Sequence, residues 1–463
     1  MLMSRRHFLG LSALVTIQAI RSPATFAIQS DEVNRYRLVL KPEQKHWFDE
    51  AEDPIELWGF NVSELRLEQG KPVSIEVVNR LPVPTSVHWH GLRIPNNMDG
   101  VSGLTQQPIP AGGSFIYEFT PKDAGTFWAH SHHQTYEQLA RGLYIPLIVE
   151  ETPQQSFNQD ITLTFDDWRI NQQGQLDLET IGDLREWAHG GRVGNLITTN
   201  RELAPNYELY RGQPIRLRLI NVANARIFQL QLPEAEIALI AKDGQPLRTP
   251  VSQSEPLILA PAERYDLVIH CDGDTSNRLS IGEIGRDEVI DIVTFDVLDA
   301  DEDSSKVFIA LPVNPLPAQP LGEPVVRHSI TMSGGAMGSL RQATFKGEEL
   351  SIDELIQQRQ IWAFNGVANM PKEPIFTVNS GEVVEITLIN DTRWPHSMHL
   401  HGHHFLADLN RYPEGAWHDT LVMASGEEAR IRFVADAAGD WLIHCHMIEH
   451  QAGGMVSWFR VTA

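Results

Sequence analysis

One strand is written three times in this chain. Gly70-Lys-Pro-Val-Ser-Ile-Glu-Val-Val-Asn79, Gly212-Gln-Pro-Ile-Arg-Leu-Arg-Leu-Ile-Asn221 and Gly381-Glu-Val-Val-Glu-Ile-Thr-Leu-Ile-Asn390 each place Asn nine positions after Gly. Their alternation is that of a strand with one buried face. The copies lie 142 and 169 residues apart, far enough for each to bury a core of its own. A second element occurs twice, as Gly125-Thr-Phe-Trp-Ala-His130 and Gly439-Asp-Trp-Leu-Ile-His444. Many short strands with 33 Gly and 28 Pro for turns predict an all-β chain of three Greek-key sandwiches or barrels. The expected domains are 28–152, 153–300 and 345–463, with a linker over 301–344 that includes the Pro-rich run Leu311 to Pro324. A short helix is expected within 352–360.

Charge narrows the function classes. The 463 residues hold 37 Lys and Arg against 60 Asp and Glu, a formal charge of −23. A nucleic-acid binder needs a basic face, and nothing in the sequence suggests one. An acidic surface keeps a protein soluble and favours cations over anions. The two cysteines, Cys271 and Cys445, are too few for a disulfide scaffold. Cys271 has no motif around it and reads as packing.

The first residues read as an address. Ser4-Arg5-Arg6-His7-Phe8-Leu9, the apolar run from Leu9 to Ile20 and the small residues up to Ala27 are the parts of a signal peptide. The paired arginines resemble the twin-arginine export signal, whose machinery carries folded proteins. Removal of 1–27 takes the charge to −26 and leaves the mature protein in the periplasm. No later run reaches the about 18 apolar residues of a spanning helix, so no stable membrane association is expected.

Histidine carries the chemistry. Among 19 histidines there are five His-x-His pairs: His88/His90, His130/His132, His399/His401, His401/His403 and His444/His446. Residues i and i+2 of a strand face one side, so each pair offers two imidazoles to one point. A single pair is commonly a solvated strand face; five pairs in two clusters point to metal. In His444-Cys445-His446 the alternation sends the histidines one way and the thiol the other, which suits two metal centres back to back. Cys445, His450 and Met455 are spaced five and five. A His2Cys set with a weak Met is a blue-copper site, whereas structural zinc prefers four strong ligands without Met.

The motifs His88-Trp-His-Gly91, Trp128-Ala-His-Ser-His132, His396-Ser-Met-His-Leu-His-Gly-His403 and His444-Cys-His-x3-His450-x4-Met455 resemble the four copper motifs of the multicopper oxidases. With Pro261-Ala-Glu-Arg-Tyr-Asp266 in the middle, the resemblance covers nearly all the mature chain. It implies three cupredoxin-like domains of the laccase-like branch and four copper ions. The implied type 1 ligands are His396, Cys445 and His450, with Met455 axial. Type 2 copper takes His88 and His399. The two type 3 coppers take His90, His130 and His446, and His132, His401 and His444. His133, His403, His404 and His418 fall outside these sets and read as supporting or solvated imidazoles.

The resemblance further implies an oxidase that passes single electrons from a donor to O2, which takes four electrons to become two waters. Donors are phenols or other aromatics, or metal ions such as Mn(II) or Cu(I). The donor meets the chain at the edge of His450, and Cys445 leads the electron on to His444 and His446. Asp99 stands where the family keeps a proton-relaying carboxylate. Gln451 departs from the Glu that several members carry. No Met-rich insert is present among the 10 Met, which counts against copper detoxification as the main role. The alternatives are a non-enzymatic periplasmic cupredoxin scaffold and a copper nitrite reductase. The complete ligand set argues against the first and the third repeat against the second. A monomer is expected.

Overall fold

The computed structural model describes residues 33–48, 53–153, 157–300 and 310–463. The expected signal over 1–27 lies outside the described residues. Sheet dominates, and the strands fall into three successive groups, each with two packed sheets and its own apolar core; the third adds a two-stranded hairpin, Gln342–Phe345 with Glu348–Ser351. Among the described residues no helix is long and apolar enough to cross a membrane.

The three repeated segments become three equivalent strands, Val73–Asn79, Pro214–Asn221 and Val383–Asn390. Each pairs parallel with the strand that opens its group: Asn34–Lys45, Gln159–Trp168 and Val326–Gly334. Each pairs antiparallel with Ser114–Phe119, Arg264–His270 and Glu428–Val434 in turn. The glycine that opens each repeat has positive φ, at 76°, 70° and 87° for Gly70, Gly212 and Gly381, a turn that a Cβ would strain.

The closing asparagine has an equally specific task. Asn79 Nδ2 donates to the carbonyls of Val83 (2.9 Å) and Ile109 (3.0 Å), while its Oδ1 accepts from the Leu81 N–H. Asn221 repeats this with Arg226, Leu259 and Ala223, and Asn390 with Trp394, Ala424 and Thr392. All three side chains are buried. Each pins the loop leaving its strand to a distant one, and loss of such a side chain leaves buried carbonyls unpaired at about 1–3 kcal/mol.

The linker expected over 301–344 is partly strand. Val326–Gly334 runs inside the third group's six-stranded sheet, paired with Val383–Asn390. Its alternation, buried at Ile330 and Met332, is short and follows a Pro-rich run, which hid it. The helix expected near 352 runs Ile352–Gln357, with Ser351 and Glu354 forming a capping box.

Candidate metal centre

Two strand pairs bring the histidines together. Val87–His90 lies antiparallel to Gly125–Ser131 with His88 opposite His130. His396–Leu400 lies antiparallel to Gly439–Cys445 with His399 opposite His444. His132, His401 and His446 follow directly on these strands. Gly125 and Gly439 open the two longer strands with φ of 144° and 143°. A Cβ on Gly125 would fall 2.1 Å from the Gly244 carbonyl oxygen, and one on Gly439 2.3 Å from Asn96 Cγ. Glycine therefore lets neighbouring segments close directly on the histidine strands.

All eight cluster histidines are buried, and in six of them hydrogen bonds set which nitrogen turns inward. Nδ1–H donates to a backbone carbonyl from His88 (Asp99, 2.8 Å), His130 (Ser131, 3.0 Å), His399 (Asp419, 2.8 Å) and His444 (Cys445, 2.9 Å). His401 Nδ1–H donates to Asp99 Oδ2 at 2.9 Å. Each of these rings then keeps a lone pair on Nε2. His90 is reversed: its Nε2 faces Asp419 Oδ1 at 3.1 Å and its Nδ1 turns inward.

The inward nitrogens have nothing within the protein to bond. His88 Nε2, His399 Nε2, His132 Nε2 and His90 Nδ1 are buried without a partner. His401 Nε2 and His444 Nε2 face each other at 3.1 Å, lone pair to lone pair, and His130 Nε2 faces His446 Nε2 at 3.4 Å. The ligand atoms of His132, His401 and His444 lie within 4.8 Å of one another, as do those of His88, His399 and His401, and of His88, His90 and His130. Opposed lone pairs in a buried space are unfavourable unless a cation stands between them. The donor set fits metal ions.

Across the strand the same logic gives a second centre. His396 Nε2–H donates to Thr392 Oγ1 (2.8 Å), whose own proton goes to Asn390 Oδ1. His450 Nε2–H donates to the His189 carbonyl (2.7 Å). Both Nδ1 atoms are left with lone pairs, and they stand 3.0 Å apart. Cys445 Sγ completes the triangle, 3.6 Å from His396 Nδ1 and 3.7 Å from His450 Nδ1. A trigonal His2Cys set of this size suits copper. Met455 is buried in the same apolar cluster, and its carbonyl accepts the Cys445 N–H at 3.1 Å.

Burial shifts these groups toward their neutral forms. It holds His90, His130, His132, His396, His399, His401 and His446 well below the ordinary histidine range and takes His444 and His450 down to about 4. The same desolvation pushes the Cys445 thiol up to about 12. Neutral imidazoles are ready to ligate, and the thiol ligates by giving its proton to solvent as metal binds.

Sequence reasoning missed Asp419 of the third domain and what the middle domain sets around it. Asp419 is buried beside His90, and Arg264 grips it with two bonds of 2.7 and 2.5 Å. Burial alone would raise the Asp419 carboxyl, yet Arg264 holds it below the usual carboxylate range. Asp243 Oδ2 accepts from the N–H groups of Asp419 (3.2 Å) and Thr420 (3.3 Å). Lys242 neutralises Asp243 and Glu263 at 3.0 and 2.9 Å. Breaking one member of such a buried set costs about 3–5 kcal/mol. Arg264 lies within the motif Pro261 to Asp266; nothing marked Asp419 or Asp243 in the sequence. His403, His404 and His418 are buried outside the ligand sets, and His404 Nε2 lies 3.2 Å from the Asp243 carbonyl oxygen.

The chain's similarities agree with this geometry. Residues 56–154 and 346–463 each match a sequence profile described as multicopper oxidase. A solved multi-copper oxidase from Pseudomonas Parafulva is 30% identical, covers 92% of this chain and 100% of its own, and superimposes with a TM-score of 0.78. The chain belongs to the multicopper oxidases. Lac15 from a marine microbial metagenome is 34% identical over 92% of this chain and 100% of its own, with a TM-score of 0.73. The multicopper oxidase MmcO of Mycobacterium tuberculosis is 27% identical over 85% of this chain and 80% of its own. This multicopper oxidase is thus a laccase-like, copper-binding oxidoreductase of cupredoxin-like β domains, which oxidises a donor and reduces O2. It departs from the expected donor pocket: the edge of His450 is covered, its Nε2–H spent on the His189 carbonyl and the ring fully buried.

Proposed function

We propose that this multicopper oxidase holds four copper ions. His396, Cys445 and His450 would hold the type 1 ion, with Met455 as a weak further ligand, and His88 and His399 would hold the type 2 ion. The type 3 pair takes His90, His130 and His446 on one side and His132, His401 and His444 on the other. The observation that carries this reading is the triangle of His396 Nδ1, His450 Nδ1 and Cys445 Sγ, in which two imidazole lone pairs oppose each other at 3.0 Å. Bound there, the coppers store the four electrons that turn one O2 into two waters. The chain's part is positioning and proton supply. Cys445 is covalently joined to His444 and His446, so the two centres share one strand. His444 Nδ1–H also bonds the Cys445 carbonyl at 2.9 Å.

Asp99 is the proton carrier in this reading. Its carboxylate is buried, with Oδ2 accepting from His401 and Oδ1 lying 3.2 Å from His88 Nδ1. It therefore touches the type 2 and type 3 groups at once. Gln451 lines a cavity of about 290 Å³ that reaches His132; an amide there does not titrate and leaves the task to Asp99.

The donor is a phenol or a metal ion such as Mn(II) or Cu(I), and the acidic charge favours cationic donors. Ser4-Arg5-Arg6 and the apolar run after it support export through the twin-arginine machinery to the periplasm, where the protein works as a monomer. Copper analysis with oxygen uptake tests the reading, using 2,6-dimethoxyphenol, Mn(II), Cu(I) and Fe(II) as donors. Four coppers per chain and O2 consumed without peroxide are expected. No uptake with any donor by the copper-loaded protein would refute it.

A further inference from the structure

The cover over His450 is a strap from the middle domain. It comprises the helix Leu184–Ala188 and the residues that follow, and three successive carbonyls tie it down. Trp187 O accepts from Trp362 Nε1 (2.7 Å), Ala188 O from the Ala336 N–H (2.6 Å) and His189 O from His450 Nε2 (2.7 Å). Gly191 lets the strap turn: its φ is +80°, and a Cβ there would fall 2.4 Å from Ala225 Cβ. No donor can rest on His450 while the strap is in place.

Outside the strap stand two rings. His189 is half-buried, and its Nδ1–H donates to the Arg185 carbonyl at 2.7 Å. Its Nε2 therefore carries a lone pair, and among the described residues it has no hydrogen-bond partner. Trp394, also half-buried, meets the His189 ring edge-on with centroids 5.2 Å apart and ties its Nε1–H to the Ala336 carbonyl. The two rings offer one acceptor nitrogen beside one aromatic face. No carboxylate is bonded to either among the described residues. That pairing suits a phenol, whose O–H needs an acceptor and whose ring needs an aromatic neighbour.

We propose that His189 and Trp394 are the donor-contact residues of this oxidase. A phenolic donor gives its O–H to His189 Nε2 and lays its ring against Trp394, with the His189 carbonyl bonded directly to His450. The inference rests on the oxidase reading and names its donor class.

The backbone bond to His450 does not depend on the His189 side chain, so His189→Ala is a clean test. The probe is 4-nitrophenol, which resists oxidation, titrated calorimetrically into the copper-loaded full chain. His189→Ala should raise its Kd about tenfold, the size of one net hydrogen bond. His189→Gln, which keeps an acceptor, should recover most of the loss, and Trp394→Leu should weaken binding severalfold. In turnover, the ratio of kcat/KM for 2,6-dimethoxyphenol to that for hexacyanoferrate(II) should fall in step. Unchanged Kd values in all three variants, or equal losses for both donors, would overturn the proposal. Absence of oxygen uptake with every donor would instead sink the oxidase reading, and the 4-nitrophenol titration would still decide the contact.

Discussion

The first and third domains contain the same triangle built from different atoms. Gly125–Ser131 and Gly439–Cys445 are equivalent strands, and Ser131 stands where the third domain has Cys445. Thr85 precedes His88 by three residues as His396 precedes His399. In the first domain Thr85 Oγ1 and Ser131 Oγ lie 3.3 Å apart, and each donates to Gln138 Oε1 at 2.6 Å. That triangle closes itself: two hydroxyl protons meet one amide oxygen, and nothing is left over. In the third domain the corners are His396 Nδ1, Cys445 Sγ and His450 Nδ1, and the nitrogens oppose lone pairs at 3.0 Å. The fold supplies the triangle in both places. Only the copy with unsatisfied donors has reason to hold a metal.

The most severe way to break the contrast is Cys445→Ser, which gives the third domain the hydroxyl of the first. The blue absorption of thiolate-bound copper should vanish and donor oxidation should fall to background while cluster copper remains. A blue, active variant would refute the type 1 assignment. Next in size is Asp99→Asn. Type 1 reduction by donor should stay fast while reoxidation by O2 slows by about 10²–10⁴, the usual worth of general acid help. Stopped-flow traces separate the two half-reactions, and reoxidation at the parent rate would assign the proton path elsewhere.

Acid should also tell the triangles apart. The first titrates nowhere near neutrality. The third includes His450, which with His444 has a folded pKa of about 4 because of burial, below the unfolded value of about 6.5. The unfolded chain then binds more protons between those limits, so metal-free protein should lose stability as pH falls from about 7 to 4. Asp243, raised to about 6 by burial, works in the opposite direction over part of that range, against many more histidines. Denaturant midpoints that do not move with pH would contradict the buried neutral rings.

Smaller still is Gln138→Leu, which removes the acceptor from the first triangle. Two buried hydroxyls lose their partner, so stability should drop by about 1–3 kcal/mol with copper content unchanged; lost copper would mean that this triangle shapes the cluster. The mildest change is Met455→Leu. An axial thioether favours oxidised copper weakly, so the type 1 potential should rise with the blue colour kept. An unmoved potential would remove Met455 from the ligand set.

Much of this was legible because it is local. The repeat from Gly to Asn follows from period-two alternation, a positive-φ turn and one buried amide, all within ten positions. His-x-His and His-Cys-His needed only strand alternation to predict converging rings. What escaped depends on long-range packing. Asp419 becomes a partner of His90 only when residues 329 positions apart meet, and Asp243 and Arg264 reach it from another domain. The strap over His450 carries no motif; its hold lies in backbone carbonyls, which any sequence has. The strand Val326–Gly334 was hidden by the prolines before it.

Copper titration into the metal-free protein, followed by blue absorption and total bound metal, asks most directly whether the two triangles differ as described. Wild type should bind four coppers per chain, one of them blue. Cys445→Ser should bind three and show no blue band, and Ser131→Ala should match wild type in both. A blue band that survives Cys445→Ser, or one that is lost with Ser131→Ala, would contradict the account.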